Sequence, residues 1–270
     1  MNICNEREAC PRGTSNAAIR DALAFCYVPY FCYRRLESHR VPGMNPLVAA
    51  TRRIAHILWH RRVRASLNRE DAFSGFGLDL VIAPGVLHPR HFASSRLLAE
   101  YLATLDLHGK KVADIGTGSG LLALLAARAG ATVTAIDISP AAVGCAADNA
   151  RRNALVERID VIESDVFDRV PTALRFDVVV TNPPFYSREA ANSSDHSFAT
   201  GADNGFFAKL AESLPGRVAK GGVAVMIQSS DADFAPIARM FAAMGFEGRV
   251  VRERRGLFET LTIREFRAIE

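Results

Sequence analysis

No stretch of this 270-residue chain stays apolar for long. The runs at 121–127 and 178–180 fall far below the roughly 20 residues that a membrane-spanning helix needs, so no membrane contact is expected. A charged start followed by an apolar run and a small-residue cleavage site is missing too, and a cytoplasmic protein is expected. Cysteine is scarce. Of five, Cys4, Cys10, Cys26 and Cys32 crowd the N-terminal region without forming a Cys-x-x-Cys pair. Free thiols in a reducing compartment fit this better than a zinc knot, and no metal is expected. Neither sign of charge dominates, with 33 Lys and Arg against 29 Asp and Glu, so any electrostatic partner must be sought in local clusters.

One cluster stands out. Arg52, Arg53, Arg61, Arg62, Arg64 and Arg69, with His56 and His60, follow one another without an intervening acid. Leu47, Ala50, Ile54, Ile57 and Leu58 recur at helical spacing on the other face. Such a stripe marks contact with a phosphate-rich partner such as nucleic acid, or equally a solvated helix face. The aromatic stretch FCYVPYFCY, 25–33, precedes it. Residues 1–72 therefore read as a small helical cap or lid, and 73–270 as the main domain.

From Phe73 onward the pattern changes to FSGFGLDLVIAPGV, which suggests a short hairpin or linker. Beyond Gly109, apolar strands alternate with helices: VADI, TVTAID, RIDVIESD, FDVVVTN and VAVMIQ are read as strands. Helices are expected at 94–105, 121–129, 140–153, 205–218 and 231–244. That alternation predicts a Rossmann-like α/β fold, a mostly parallel sheet with helices on both faces. RVVRERRGLFETLTIREF closes it as an antiparallel C-terminal hairpin. Phe206 and Phe207 are expected in the core.

DIGTGSG, 114–120, joins a strand to a helix. Gly116, Gly118 and Gly120 let the backbone turn tightly and approach a ligand at the helix N-terminus. The spacing departs from the dinucleotide fingerprint, and Asp114 just ahead would repel a pyrophosphate but accept from an ammonium. Asp137 closes the next strand, where an acid meets ribose hydroxyls. Asp165 closes the third, where an acceptor can face an adenine amine. Each taken alone is also a common helix-cap or turn residue.

TNPPF, 181–185, leaves the following strand. Two prolines stop any ladder and hold the chain extended. A delocalised nitrogen is a poor nucleophile, and its N–H groups must be held while it attacks. Asn182 offers one acceptor and the Pro183 carbonyl a second, both fixed in advance by the prolines. Phe185 offers a face for a planar group.

From about 73 to 270 the chain resembles the class I S-adenosylmethionine-dependent methyltransferases. The closest likeness is to the branch of the release-factor glutamine methyltransferases and their N6-adenine and ribosomal guanine-N2 relatives. DIGTGSG, Asp137, Ser164–Asp165 and Asn182 to Phe185 match in order and spacing, and VIAPGVLHPR resembles the segment ahead of the core in the glutamine enzymes. The resemblance implies a seven-stranded sheet and S-adenosylmethionine as cofactor. It implies a cofactor set of Asp114, Gly116, Thr117, Gly118, Gly120, Asp137, Ile138, Asp165, Val166 and Asn182. Catalysis on a planar nitrogen, an amide or exocyclic amine, then falls to Asn182, Pro183, Pro184 and Phe185. The glutamine enzymes usually carry Tyr where Phe185 stands, so the acceptor stays open between protein, nucleic acid and small metabolite. Arg90 is a candidate for the cofactor carboxylate, whereas His88 and His91 have no partner acid and are not offered as bases. Two alternatives remain. An aromatic lid would suit a small cationic ligand, including cyclisation of the cofactor itself as in azetidine-carboxylate synthases. A non-catalytic RNA- or ribosome-binding module of the same fold is the other.

Overall fold

The computed structural model describes Leu58 and residues 61–183, 204–230, 232–256 and 259–269. The N-terminal cysteines, the stretch 25–33, Arg52, Arg53, His56, His60, Pro184 and Phe185 lie outside the described residues. By its contacts the chain divides into Met1–His60 and Arg61–Glu270. Every strand among the described residues belongs to the second unit.

Residues 61–67 are helical and bury Val63, Ser66 and Leu67, while Arg61 and Arg62 stay exposed. The described part of the basic stripe is thus the outer face of an amphipathic segment. A hairpin follows, β1 (Asp71–Gly75) and β2 (Leu78–Ile82). Its turn residues Phe76 and Gly77 both have positive φ, 55° and 69°. That is the left-handed pair which matches the twist of a two-residue hairpin.

The main sheet then builds in alternation with helices: α1 (Ala93–Leu102), β3 (Lys111–Ile115), α2 (Leu121–Arg128), β4 (Thr132–Asp137) and α3 (Pro140–Arg152). Next come β5 (Ile159–Glu163), β6 (Phe176–Thr181), α4 (Gly205–Arg217), β7 (Val218–Ser229) and α5 (Phe234–Ala243). The hairpin β8 (Phe246–Arg255) and β9 (Thr260–Ala268) completes it. The order is β5-β4-β3-β6-β7-β9-β8, parallel from β5 to β7, with β9 antiparallel to β7 and β8. This is the seven-stranded, mostly parallel sheet with an antiparallel C-terminal hairpin that the pattern predicts.

Buried parallel strands carry apolar side chains on both faces. Ala113, Ile115, Val179, Ala224 and Met226 join Phe207 and Leu210 of α4 and Ile237 and Phe241 of α5. Val112, Val178, Val180 and Val225 join residues of α1, α2, α3 and the β1–β2 hairpin. Several boundaries differ from the pattern: α1 stops at Leu102 instead of 105, and β7 begins at Val218, ahead of the VAVMIQ run. β5 stops at Glu163, which puts Asp165 in the turn beyond it. α5 starts at Phe234 instead of Asp231, because Asp233 caps it by accepting the Ala235 N–H at 3.0 Å.

Strand order reverses between β3 and β6. Their carboxyl ends flank the crevice where open α/β sheets take ligands.

Candidate active site

Ile115 pairs with both Thr181 and Ile136. The next residues, Gly116, Asn182 and Asp137, therefore leave three neighbouring strands at one level. Thr181 reinforces this by donating its hydroxyl to the Ile115 carbonyl at 2.9 Å.

Gly116, Gly118 and Gly120 have φ of 73°, 56° and 82°, a region in which a side chain is strained. A Cβ on Gly116 or Gly118 would meet nothing within 4 Å, but one on Gly120 would lie 3.2 Å from Ala146 Cα. The first two keep the backbone open toward a ligand. The third seats α3. Asp114 lies beneath the loop with no exposed surface. Its Oδ2 accepts from Thr117 Oγ1 at 2.7 Å and from the Ala123 N–H at 3.1 Å, so it ties the loop to α2. Its Oδ1 is buried without a hydrogen-bond partner. Burial pushes the carboxyl up to about 7, against the Thr117 and Ala123 hydrogen bonds and with a further push from Asp137.

Asp137 links the loop to the next helix. Its Oδ2 accepts from the Gly118 N–H and its Oδ1 from the Ser139 N–H, both at 2.9 Å. Ile138 beside it leaves 42% of its surface exposed, an apolar face at the rim. Asp165 accepts from Lys209 Nζ on α4 at 2.6 Å, and the same ammonium reaches Asp168 at 2.5 Å. Val166 is buried with φ 51°. A β-branched residue holds that conformation only where its surroundings impose it, which is typical of ligand-binding turns. Arg217 braces the turn that follows Val166. Its guanidinium donates to the carbonyls of Pro171, Phe167 and Val170 at 2.6, 3.1 and 2.9 Å, directly after the strained residue.

Asn182 donates its Nδ2 to Ser95 Oγ of α1 at 3.0 Å, and its Oδ1 is buried with no hydrogen-bond partner. One end of the amide is anchored and the other is an unmatched acceptor. Pro183 follows, buried. Pro184 and Phe185 lie outside the described residues.

Arg90 serves the hairpin: its guanidinium donates to the Ala72 carbonyl at 3.0 Å. His88 is buried, accepts the Arg90 N–H on Nδ1 at 3.1 Å and points Nε2 at the Ala72 carbonyl, 3.4 Å away. Contrary to the sequence reading, an acid does stand beside it, Asp71 Oδ2 lying 3.8 Å from Nε2, yet burial is the main cause of its lowered pKa. Phe207 is buried and Phe206 half-buried against the same core.

Sequence reasoning missed Ser95, Lys209 and Arg217. A lone serine or basic residue on a helix gives no local signal, because its partner lies tens of residues away.

A doubly wound sheet with a glycine turn and an acid at its reversal point defines a nucleoside-binding α/β protein. The family model described as "Methyltransferase small domain" matches residues 78–206. A putative protein N5-glutamine methyltransferase of Methanocaldococcus jannaschii is 30% identical over 193 residues, 69% of this chain and 94% of that protein. A ribosomal protein L11 methyltransferase of Deinococcus radiodurans is 46% identical over 97 residues, 35% of each chain. A T. thermophilus 16S rRNA N2 methyltransferase, solved with AdoMet and guanosine, has a TM-score of 0.56 at 22% identity and shows the shared fold. That match covers 75% of this chain and 50% of the other, so the chain spans a third to a half of those last two proteins. The chain belongs to the class I S-adenosylmethionine-dependent methyltransferases. No helix among the described residues is long and apolar enough to cross a membrane.

Proposed function

We propose that the chain transfers a methyl group from S-adenosylmethionine to a planar nitrogen, specifically the side-chain carboxamide of a glutamine in a protein. The observation that carries this reading is the state of Asn182. Its amide is pinned through Nδ2 while Oδ1 is left buried and unmatched, level with the glycine loop. A buried acceptor without a partner is unfavourable unless a ligand supplies the donor. The N–H of an attacking amide is such a donor.

The residues present fit the cofactor. Gly116 and Gly118 leave open backbone at the crevice. Asp114, sealed under the loop, places negative charge beneath a cationic amino-acid end. Asp137 takes the ribose hydroxyls, and the Asp165–Val166 turn with Ile138 takes the adenine. When bound, S-adenosylmethionine supplies an electrophilic methyl group on a sulfonium. Asn182 Oδ1 and the Pro183 carbonyl hold the substrate N–H groups so that the nitrogen lone pair turns toward that methyl. Phe185 stacks on the planar group. A nitrogen–carbon bond forms, the carbon–sulfur bond breaks, and the proton leaves the nitrogen afterwards, so no strong base is required.

Glutamine is chosen over a nucleobase because the relative from M. jannaschii, matched over nearly its whole length, is named for N5-glutamine. Mass spectrometry of the protein with S-adenosylmethionine, alone and with a glutamine peptide or guanosine, tests the reading. A gain of 14 Da on the glutamine amide is expected, taking about that mass for one methyl replacing one hydrogen. Conversion of the cofactor alone to methylthioadenosine, or methylation of guanosine only, would overturn it.

A further inference from the structure

The turn that follows β5 is held by a single lysine. Glu163, the last residue of β5, pairs with Asp137, and the Ser164 N–H donates to the Asp137 carbonyl at 2.9 Å. Asp165 therefore opens its turn beside the acid assigned to the ribose. The Asp168 N–H closes that turn onto the Asp165 carbonyl at 3.2 Å. Val166 stands second in it with φ of 51°, where a turn of this kind calls for glycine. Asp165 and Asp168 bring two carboxylates to its two ends, and like charges so close repel.

Lys209, one turn into α4, engages both. Its ammonium donates to Asp165 Oδ2 at 2.6 Å and to Asp168 Oδ2 at 2.5 Å, so one cation clamps the two ends of a strained turn. The same helix is fixed to this turn through Arg217 and the carbonyls of Phe167, Val170 and Pro171. Both carboxylates are exposed, and a solvated ion pair adds little to stability. What the clamp governs is geometry. With Oδ2 engaged, Asp165 keeps Oδ1 for a ligand. The adjacent Val166 N–H meets no acceptor among the described residues. An acceptor beside a donor matches the edge of a 6-aminopurine, whose amine donates and whose N1 accepts. A 6-oxopurine presents the reverse, an accepting oxygen beside a donating N1–H.

We infer that Lys209 is the positioning residue that makes the cofactor site selective for adenine over a 6-oxopurine, by holding Asp165 so that Oδ1 and the Val166 N–H form one fixed acceptor–donor edge. This rests on the reading of the Asp165–Val166 turn as the adenine contact. Without the ammonium, the Asp165 carboxylate swings away from Asp168 and no longer presents that edge.

Isothermal titration calorimetry with S-adenosylhomocysteine and S-inosylhomocysteine reads this selectivity without turnover. Wild type should bind the adenine compound about a hundredfold more tightly or better, since the inosine compound sets acceptor against acceptor and donor against donor. Lys209→Met keeps the apolar stem and removes the charge, and should bring that ratio to about tenfold or less. Lys209→Arg, whose guanidinium can span both carboxylates, should restore most of it. Asp165→Ala should abolish the preference. Equal loss of affinity for both compounds in Lys209→Met, or an unchanged ratio, gives the lysine a purely structural role and overturns the inference. A ratio that rises in Lys209→Met means that the ammonium was attracting the 6-oxo group, and overturns it too. No preference in wild type, or one that survives Asp165→Ala, removes the reading of the turn and this inference with it. A preference lost in Asp165→Ala but kept in Lys209→Met removes this inference alone.

Discussion

Asn149 completes the edge of β2 by exchanging two hydrogen bonds with Val81: its Oδ1 accepts the Val81 N–H at 2.8 Å and its Nδ2 donates to the Val81 carbonyl at 2.9 Å. Asn153, one turn on, repeats the exchange with Asp79 at 3.1 and 2.8 Å. Cys145, one turn back, adds a thiol rung, accepting from the Ala83 N–H at 3.5 Å and donating to the Val81 carbonyl at 3.3 Å. Four helical residues rise about 6 Å and two strand residues about 6.6 Å, so the side chains stay in step with the strand. An open strand edge is a template for unwanted pairing, and α3 closes this one with side chains. Asn149 also donates to the Ser119 carbonyl at 3.0 Å, which ties the hairpin to the cofactor loop.

Asn149→Ala removes those bonds and leaves the Val81 N–H without its acceptor and the Ser119 carbonyl without its Asn149 donor, while the Val81 carbonyl keeps only the weak Cys145 thiol. We expect stability to fall by about 2–4 kcal/mol, as for losing several buried hydrogen bonds at once. Urea unfolding followed by circular dichroism measures it. Cofactor affinity should weaken as well, whereas Asn153→Ala, nearer solvent, should lower stability less and leave affinity intact. Equal effects of the two substitutions would refute the coupling to the loop.

The parts of this molecule legible in the sequence are those written locally. Alternating periods mark strands and helices, the glycines at 116, 118 and 120 mark positive φ, and the paired prolines after Asn182 mark a stopped strand. The missed parts depend on partners far away in the chain. Asn149 and Asn153 read as ordinary polar helix residues, because β2 lies 68 and 74 positions earlier. Ser95 meets Asn182 across 87 positions and Lys209 meets Asp165 across 44. Asp165 reads as the end of the strand RIDVIESD, yet the chain turns as soon as pairing with β4 stops at Glu163.

Asp114 gives a pH dependence. Its folded pKa of about 7 lies above the ordinary 3.8 of an unpaired aspartate. The folded state therefore holds the proton more tightly than the unfolded one. The stability this contributes is complete below the unfolded value and is lost as pH rises through about 7. We expect Asp114→Asn to remove that decline in the free protein and to melt higher than wild type at pH 8. Cofactor binding should show the opposite trend, because only the ionised carboxylate attracts a cationic ligand. Wild-type affinity should rise with pH through about 7, and Asp114→Asn should flatten the curve in isothermal titration calorimetry. A wild-type affinity indifferent to pH between 6 and 8, a range bracketing the expected titration at about 7, would mean that the charge plays no part.

Ser95 acts through Asn182. With Ser95→Ala the Asn182 amide loses its anchor and can rotate its oxygen away from the reacting nitrogen. Turnover should fall about tenfold with cofactor affinity unchanged, the loss expected when a hydrogen-bonding group is present but poorly oriented. Ser95→Thr keeps the hydroxyl and should restore most of the rate. Steady-state kinetics with calorimetry separate this from general destabilisation, which would not be rescued by threonine.

Asn182→Ala bears on the whole assignment. The side chain is assigned to the attacking nitrogen and not to the sulfonium, so cofactor affinity should stay near that of wild type. Turnover should fall by about a hundredfold or more, the scale of removing one positioned hydrogen-bond partner from a transition state. Removing the unmatched Oδ1 should leave the free protein at least as stable, since only the bond to Ser95 is lost and the buried acceptor goes with it. Asn182→Asp should recover part of the rate: a carboxylate still accepts, and the Ser95 hydroxyl can donate to it where it previously accepted. Phe185→Ala should raise KM for the acceptor more than it lowers kcat, while Phe185→Tyr, which keeps the ring, should not. A fully active Asn182→Ala enzyme would leave the two prolines as punctuation at the end of β6 and transfer the chemistry elsewhere in the crevice.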